Sequence, residues 1–168
     1  MKKLVLLTVV FMLAGFTAMA QNYIVVDSEK IFKSIAAYNE ANSTLEKLAE
    51  TYQKNIDDEY EKVEQMYNDY IQQKAYLSES TRQSREDAII NREKEILAYQ
   101  EQIFGQEGEW MKKRVELITP IQEKVFGVIT KYAEANGQAL VMDINSNPTV
   151  LYYSPKADKT EEIIKLLK

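Results

Sequence analysis

The sequence predicts an α+β fold: a small β-containing head domain formed by both chain ends, with a long antiparallel helical hairpin, a coiled-coil arm, inserted between them. Three observations predict it. In the second half of the arm, Ile89, Ile96, Ile103, Trp110 and Leu117 recur every seven residues. One position along, Ile90, Leu97, Phe104, Met111, Ile118, Val125 and Tyr132 do the same. In the first half, Tyr38, Ala41, Leu45, Leu48, Tyr52, Ile56, Tyr60, Val63, Tyr67 and Tyr70 step by threes and fours, the spacing of one face of a helix with a period near 3.6. The third observation is that short β-rich runs lie only near the ends, at Tyr23–Val26, Leu140–Ile144 and Thr149–Tyr153.

Taken in order, the chain begins with an export signal over residues 1–20. Lys2 and Lys3 precede an apolar run from Leu4 to Phe16, and Ala18-Met19-Ala20 forms an A-x-A cleavage site, so cleavage is expected after Ala20. The run is shorter than the ~20 residues of a membrane-spanning helix, and no span is expected after the signal is removed. There is no cysteine, hence no disulfide and no lipid-modified thiol. Without the two signal lysines, 19 basic side chains face 26 acidic ones, and the formal charge moves from −5 to −7. That balance disfavours nucleic acid as a partner.

Residues 21–37 form the first part of the head. Tyr23–Val26 is a strand too short to stand alone, so its partner must come from the far end of the sequence. Asp27 or Ser28 then supplies an N-cap oxygen for a helix carrying Ile31, Phe32 and Ile35. The arm spans residues 38–119. Its first helix, Tyr38 to Leu77, is about forty residues and roughly 60 Å long at 1.5 Å per residue. Ser78 or Ser80 caps the returning helix. Pro120 removes a helical hydrogen bond, and a kink is expected there. Gly105 and Gly108 fall inside the returning helix, opposite Tyr52; each costs ~1 kcal/mol relative to alanine in a helix interior, so they serve packing or bending. Residues 120–168 complete the head. A helix stops at Asn136-Gly137, and Leu140–Ile144 and Thr149–Tyr153 read as a β-hairpin about Asn145-Ser146-Asn147-Pro148. A short amphipathic helix capped by Asp158 or Thr160 ends the chain.

The chemistry on offer is binding rather than catalysis. With neither His nor Cys, the commonest general base, the thiol nucleophile and the usual zinc ligands are absent. No P-loop, Gly-x-Gly-x-x-Gly or Gly-x-Ser-x-Gly motif occurs, and no enzyme activity, cofactor or metal is expected. Asp57, Asp58, Glu59 and Glu61 lack the oxygen-rich loop of a calcium site and read as a solvated helix face. The apolar surface of the arm exceeds what one two-helix seam needs, and a large exposed apolar patch marks an interaction site in soluble proteins. Tyr67, Tyr70, Ile71, Ile96 and Ile103 are expected to be that surplus, with Leu97 in the seam. An exported structural spacer with a coiled hairpin between fixed partners is the alternative reading.

The layout resembles the Skp/OmpH-like family of periplasmic chaperones. The resemblance rests on Tyr23-Ile-Val-Val-Asp27 leading into a helix, on Ala133-Glu-Ala-Asn-Gly137 followed by Leu140-Val-Met-Asp143, and on Val150-Leu-Tyr-Tyr153 followed by Asp158-Lys-Thr160 and a terminal helix. Pro120, just before the last helical stretch, suits the same pattern. It implies a jellyfish-like homotrimer whose heads form a β body and whose arms enclose unfolded outer-membrane proteins without using ATP. It also implies a periplasmic location, with the five surplus residues as client contacts. This chain is acidic where the best-known members are strongly basic, so lipopolysaccharide or anionic-lipid binding is not carried over.

Overall fold

The computed structural model describes residues 22–145 and 148–168; the expected signal segment and its cleavage site after Ala20 lie outside them. The order is β1 (Tyr23–Val26), α1 (Ser28–Lys33), α2 (Ala36–Gln73), a 3₁₀ turn (Lys74–Tyr76), α3 (Glu79–Phe104), α4 (Glu109–Ala135), β2 (Leu140–Asp143), a 3₁₀ turn (Pro155–Ala157) and α5 (Thr160–Leu167). The chain divides into two compact units. One joins the residues up to Ser34 with Val125–Lys168, and the other is Ile35–Lys124, slightly wider than the expected 38–119.

In the first unit β1 pairs with β2 in parallel, Tyr23 opposite Leu140 and Val26 opposite Asp143, so the far end of the sequence does supply the partner. On its other edge β1 takes a parallel bridge from Val25 to Asp158. Ile24, Val25, Val26, Ile31, Val125, Ala133, Ile163 and Ile164 form the buried interior. The polar groups that close it are short-range and specific. Asp27 caps α1 by accepting from the Lys30 amide at 2.9 Å, and the Asp27 amide donates to Thr160 Oγ1 at 2.9 Å. Asp143 accepts from the Ser28 amide at 3.1 Å and from Ser28 Oγ at 2.5 Å, tying β2 to the start of α1. Gly137, at φ 61°, ends α4 in the left-handed region. Its amide reaches Glu134 O at 3.2 Å and that of Gln138 reaches Ala133 O at 2.9 Å, the paired bonds of a Schellman cap.

The expected β-hairpin does not form. Residues 150–154 take no regular structure, and Leu151 and Tyr152 stand 93% and 84% exposed. β2 pairs with β1 on one edge, and among the described residues no strand pairs on its other edge.

The second unit is the helical hairpin. On α2 the buried series is Ile56, Val63 and Tyr70; on α3 it is Ile89, Ile96 and Ile103. Both step by seven, as knobs packing into a facing seam require. Ser78 caps α3, accepting from the Thr81 amide at 3.3 Å. Nearer the other end, Ala41 and Leu45 pack with Ile118, flanked by Tyr38, Trp110, Leu117 and Ile121, and Trp110 Nε1 donates to Leu45 O at 3.1 Å. Pro120 lies inside α4.

The returning helix is not continuous, contrary to the sequence expectation. It stops at Phe104 and restarts at Glu109, so Gly105 and Gly108 lie in a break rather than in a helix interior. The Gly105 amide closes on Glu101 O at 2.8 Å, and the Gly108 amide on Gly105 O at 2.9 Å. A Cβ on Gly105 would sit 2.4 Å from Glu101 O, and one on Gly108 2.3 Å from Ile103 O; backbone carbonyls approach both glycines too closely for any side chain. The break explains the two apolar series. Before it the buried residues are Ile89, Ile96 and Ile103; after it the buried residue of the hairpin is Ile118, from the series one position along.

Candidate interaction surface

A surface for binding a chain must be apolar, exposed and borne on an element that stays folded without it. The seam supplies the last condition. Ile56, Val63, Tyr70, Ile89 and Ile96 form one buried cluster, with Leu77, Tyr99 and Phe104 packed against it. Tyr70 belongs to it through its ring, while its hydroxyl donates to Glu86 and Lys74 Nζ lies 5.2 Å from the ring centroid. The hydrogen bond to Glu86, then burial, raise the Tyr70 hydroxyl above the usual tyrosine range.

Three of the five expected contact residues are therefore seam residues. Tyr70, Ile96 and Ile103 are 3%, 3% and 1% exposed, whereas Leu97, expected in the seam, is 57% exposed. The two heptad series on α3 have the same period, so periodicity alone leaves either free to face α2. Burial selects the one through Ile96. Tyr67 and Ile71 are exposed as expected, and the sequence reading missed Tyr60, Ile90 and Leu97. The signal that could have found Ile90 and Leu97 was the second series itself, once the first was assigned to the seam.

Successive helical residues turn by about 100°, so Tyr60 and Tyr67 lie about 50°, and Ile71 about 100°, from the buried line of α2, all to the same side. Ile90 and Leu97 flank the buried line of α3 in the same sense. Phe104, one heptad beyond Leu97, lines a groove of about 500 Å³ with Ala49, Glu50, Gln53, Lys54 and Asp57, so both flanks open on one side of the hairpin. This side presents aromatic and aliphatic groups over several turns of both helices.

The opposite side is polar. Arg92 pairs with Glu59 there and, at 2.7 Å, with Glu95, and Lys62 reaches Glu59 at 2.8 Å. Hydrogen bonds from Lys62, then Arg92, hold the Glu59 carboxyl below its usual range. These residues border a groove of about 520 Å³ with Asp58 and Tyr99.

At the helix break, Tyr52 packs edge-on against Phe104 with centroids 6.2 Å apart, and its hydroxyl donates to Glu109 Oε2 at 3.0 Å. That bond, then burial, raises the Tyr52 hydroxyl. Among the described residues no group of acidic side chains is arranged to hold a metal ion, and no helix is long and apolar enough to cross a membrane.

A hairpin with a packed seam and an apolar side, joined to a small parallel-stranded unit, defines an α+β protein built around an extended surface. The chain belongs to the OmpH-like family: the family described as Outer membrane protein (OmpH-like) matches residues 22–167. A crystal structure from Caulobacter crescentus CB15, described as that of an OmpH-like outer membrane chaperone, has a TM-score of 0.62 to this one. It is 10% identical, with 87% of this chain and 83% of that chain covered. At that identity the likeness is one of fold. No curated protein sequence matches the chain.

Proposed function

We propose that the protein is an ATP-independent holdase of the periplasm that binds unfolded outer-membrane proteins on its helical arms and keeps them from aggregating. The observation that carries this reading is the exposed line of Tyr60, Tyr67 and Ile71 with Ile90 and Leu97 beside it, on a hairpin whose seam is closed without them. Such a surface gains from covering any apolar chain, and tyrosine suits varied partners because one edge is apolar and the other wet. Membership in a family described by outer-membrane proteins, and the fold shared with a structure described as an outer membrane chaperone, support the same role. Tyr67 and Ile71 remain client contacts in this reading; Tyr70, Ile96 and Ile103 hold the arm together instead.

The working form in this reading is a homotrimer joined through the first unit. Tyr23, Leu140, Leu151 and Tyr152 are exposed apolar groups there, and the run from Val150 to Tyr153 is free to pair outside its own chain. Small units with open strand edges gain from such covering. Export rests on the signal sequence of residues 1–20. The test is dilution of a urea-unfolded β-barrel membrane protein into buffer with and without the protein at stoichiometric ratio, followed by light scattering. Suppressed scattering without nucleotide is expected; scattering equal to the control would overturn the holdase reading.

A further inference from the structure

The surplus of acid is confined to one unit. Residues 35–124 carry 19 Asp and Glu against 12 Lys and Arg, a formal −7, whereas residues 22–34 with 125–168 carry seven of each. The apolar side of the arm also has its acids in register with its aromatics. Along α2, Glu46, Glu50, Gln53, Asp57, Tyr60, Glu64, Tyr67 and Ile71 follow one another by threes and fours, which places them on a single line. All eight are exposed; the line itself contains no basic side chain, and the one cation in the groove beside it is Lys54, against Glu50 and Asp57. None of its four carboxylates takes part in an ion pair among the described residues; the only partner of Asp57 is the neutral Gln53 amide at 2.8 Å. The cations on the other side of the hairpin, Lys62 and Arg92, are already paired.

We propose that this line selects unfolded chains of net positive charge, with Tyr60, Tyr67 and Ile71 taking their apolar groups and Glu50, Asp57 and Glu64 their Lys and Arg side chains. The proposal rests on the holdase reading and names the chemistry of its client. Two properties of the line favour the same partner. Unpaired carboxylates attract cations over about a screening length, near 10 Å at 0.1 M salt, and tyrosine faces attract ammonium and guanidinium groups through the ring quadrupole. An anionic chain meets the same apolar groups but is repelled by the acids between them. A like-charged field slows encounter as surely as an opposite one speeds it, and both effects fade with salt.

The test uses the full mature protein and two forms of one β-barrel membrane protein, unfolded in urea. In one form Asp and Glu of the loops are changed to Asn and Gln; in the other, Lys and Arg of the loops are changed to Gln. Apolar content is then equal and only net charge differs. Affinity is measured at 50 and 300 mM NaCl alongside protection from aggregation. The cationic form is expected to bind about tenfold more tightly at low salt, the lower end of electrostatic steering effects, with the gap closing at high salt. The variant Glu50→Gln, Asp57→Asn, Glu64→Gln, checked for unchanged helicity, should lose the preference and keep the salt-independent part of binding. Equal affinity for the two forms at low salt overturns charge selection while leaving the holdase intact. An unchanged preference in the variant overturns the assignment to this line. Protection of neither form overturns the holdase reading itself.

Discussion

Replacing Gly105 and Gly108 by alanine sets two opposing effects against each other. Helix propensity favours alanine by ~1 kcal/mol at each position, about 2 kcal/mol together, if the residues were in a helix interior. In the break, each new Cβ meets a backbone carbonyl oxygen, Glu101 O at 2.4 Å and Ile103 O at 2.3 Å. Neither oxygen sits at the end of a flexible side chain, so relief requires the backbone to move. Overpacking of that kind costs typically 1–3 kcal/mol per site. Healing the break into continuous helix offers no escape. It would turn Ile118 away from the line through Ile89, Ile96 and Ile103 by one residue, about 100°, and so unpack either the Ile118 cluster or the seam. It would also displace Phe104 and Glu109 from Tyr52. The double variant should therefore be less stable than the parent by roughly 2–6 kcal/mol, the sum of two such sites, with each single variant intermediate. Urea unfolding followed by circular dichroism at 222 nm measures it. A double variant more stable than the parent would refute the reasoning, because it would mean that the returning helix gains from being continuous.

Three further outcomes follow from the packing and the polar groups. Ile96→Ala should cost about 2–5 kcal/mol through the cavity it leaves in the seam, while Leu97→Ser should shift stability by no more than ~0.5 kcal/mol; equal costs in urea unfolding would reject the seam assignment. In the first unit, burial raises the Asp143 pKa, but hydrogen bonds from the Ser28 side chain and amide and from the Asn145 amide outweigh it, and the net direction is down. A depressed carboxyl contributes stability that is present above its unfolded value, near 3.9, and is lost as pH falls through the folded one. Asp143→Asn should accordingly lower Tm at pH 7 and flatten its fall on the acid side, and a parallel acid profile would count against this contact. Leu151→Asp with Tyr152→Asp should leave the fold in place and reduce the proposed trimer to a monomer in sedimentation; an unchanged trimer would move the oligomer contact elsewhere.

What could be read from the sequence was whatever depends on local spacing. The long first helix, the position of the caps at Asp27 or Ser28 and at Ser78 or Ser80, the glycine stop at Gly137 and the pairing of the first strand with the far end all follow from short-range chemistry or elimination. The choice between Ile96 and Leu97 did not. Two heptad series side by side satisfy the helical period equally, and only the partner helix decides between them. The glycines misled for a related reason: propensity counts what a residue costs in a helix, whereas here the chain needs close backbone approach outside one. The unpaired run at Val150–Tyr153 has strand composition, and composition says nothing about whether the open edge of β2 is taken. On the exposed side, Tyr67 and Ile71 were legible because no partner claims their face. Tyr70 was lost because its polar tip, bonded to Glu86, allows a ring that looks amphipathic in sequence to be buried.

The polar staple between Ser28 and Asp143 joins residues 115 apart in sequence, and this has a consequence for the order of events as the chain acquires its structure. The hairpin is made from contacts close in sequence, beginning at the turn near Ser78, so it can form while the strand ends are still apart. Because Tyr38 and Ile121 flank one cluster, a completed hairpin draws its own two ends together and shortens the loop that β1 and β2 must close. With closure entropy growing as (3/2)RT ln n, removing most of that loop saves about 1 kcal/mol. Weakening the seam should then delay strand pairing as well as loosen the arm, which stopped-flow refolding of Val63→Ala would reveal as a slower first unit. In a chain that emerges amino end first, β1 waits unpaired until nearly the whole polypeptide has arrived. Its Ile24, Val25 and Val26 are exposed throughout that interval, so under the proposed function the protein itself passes through a state of the kind its arm would cover.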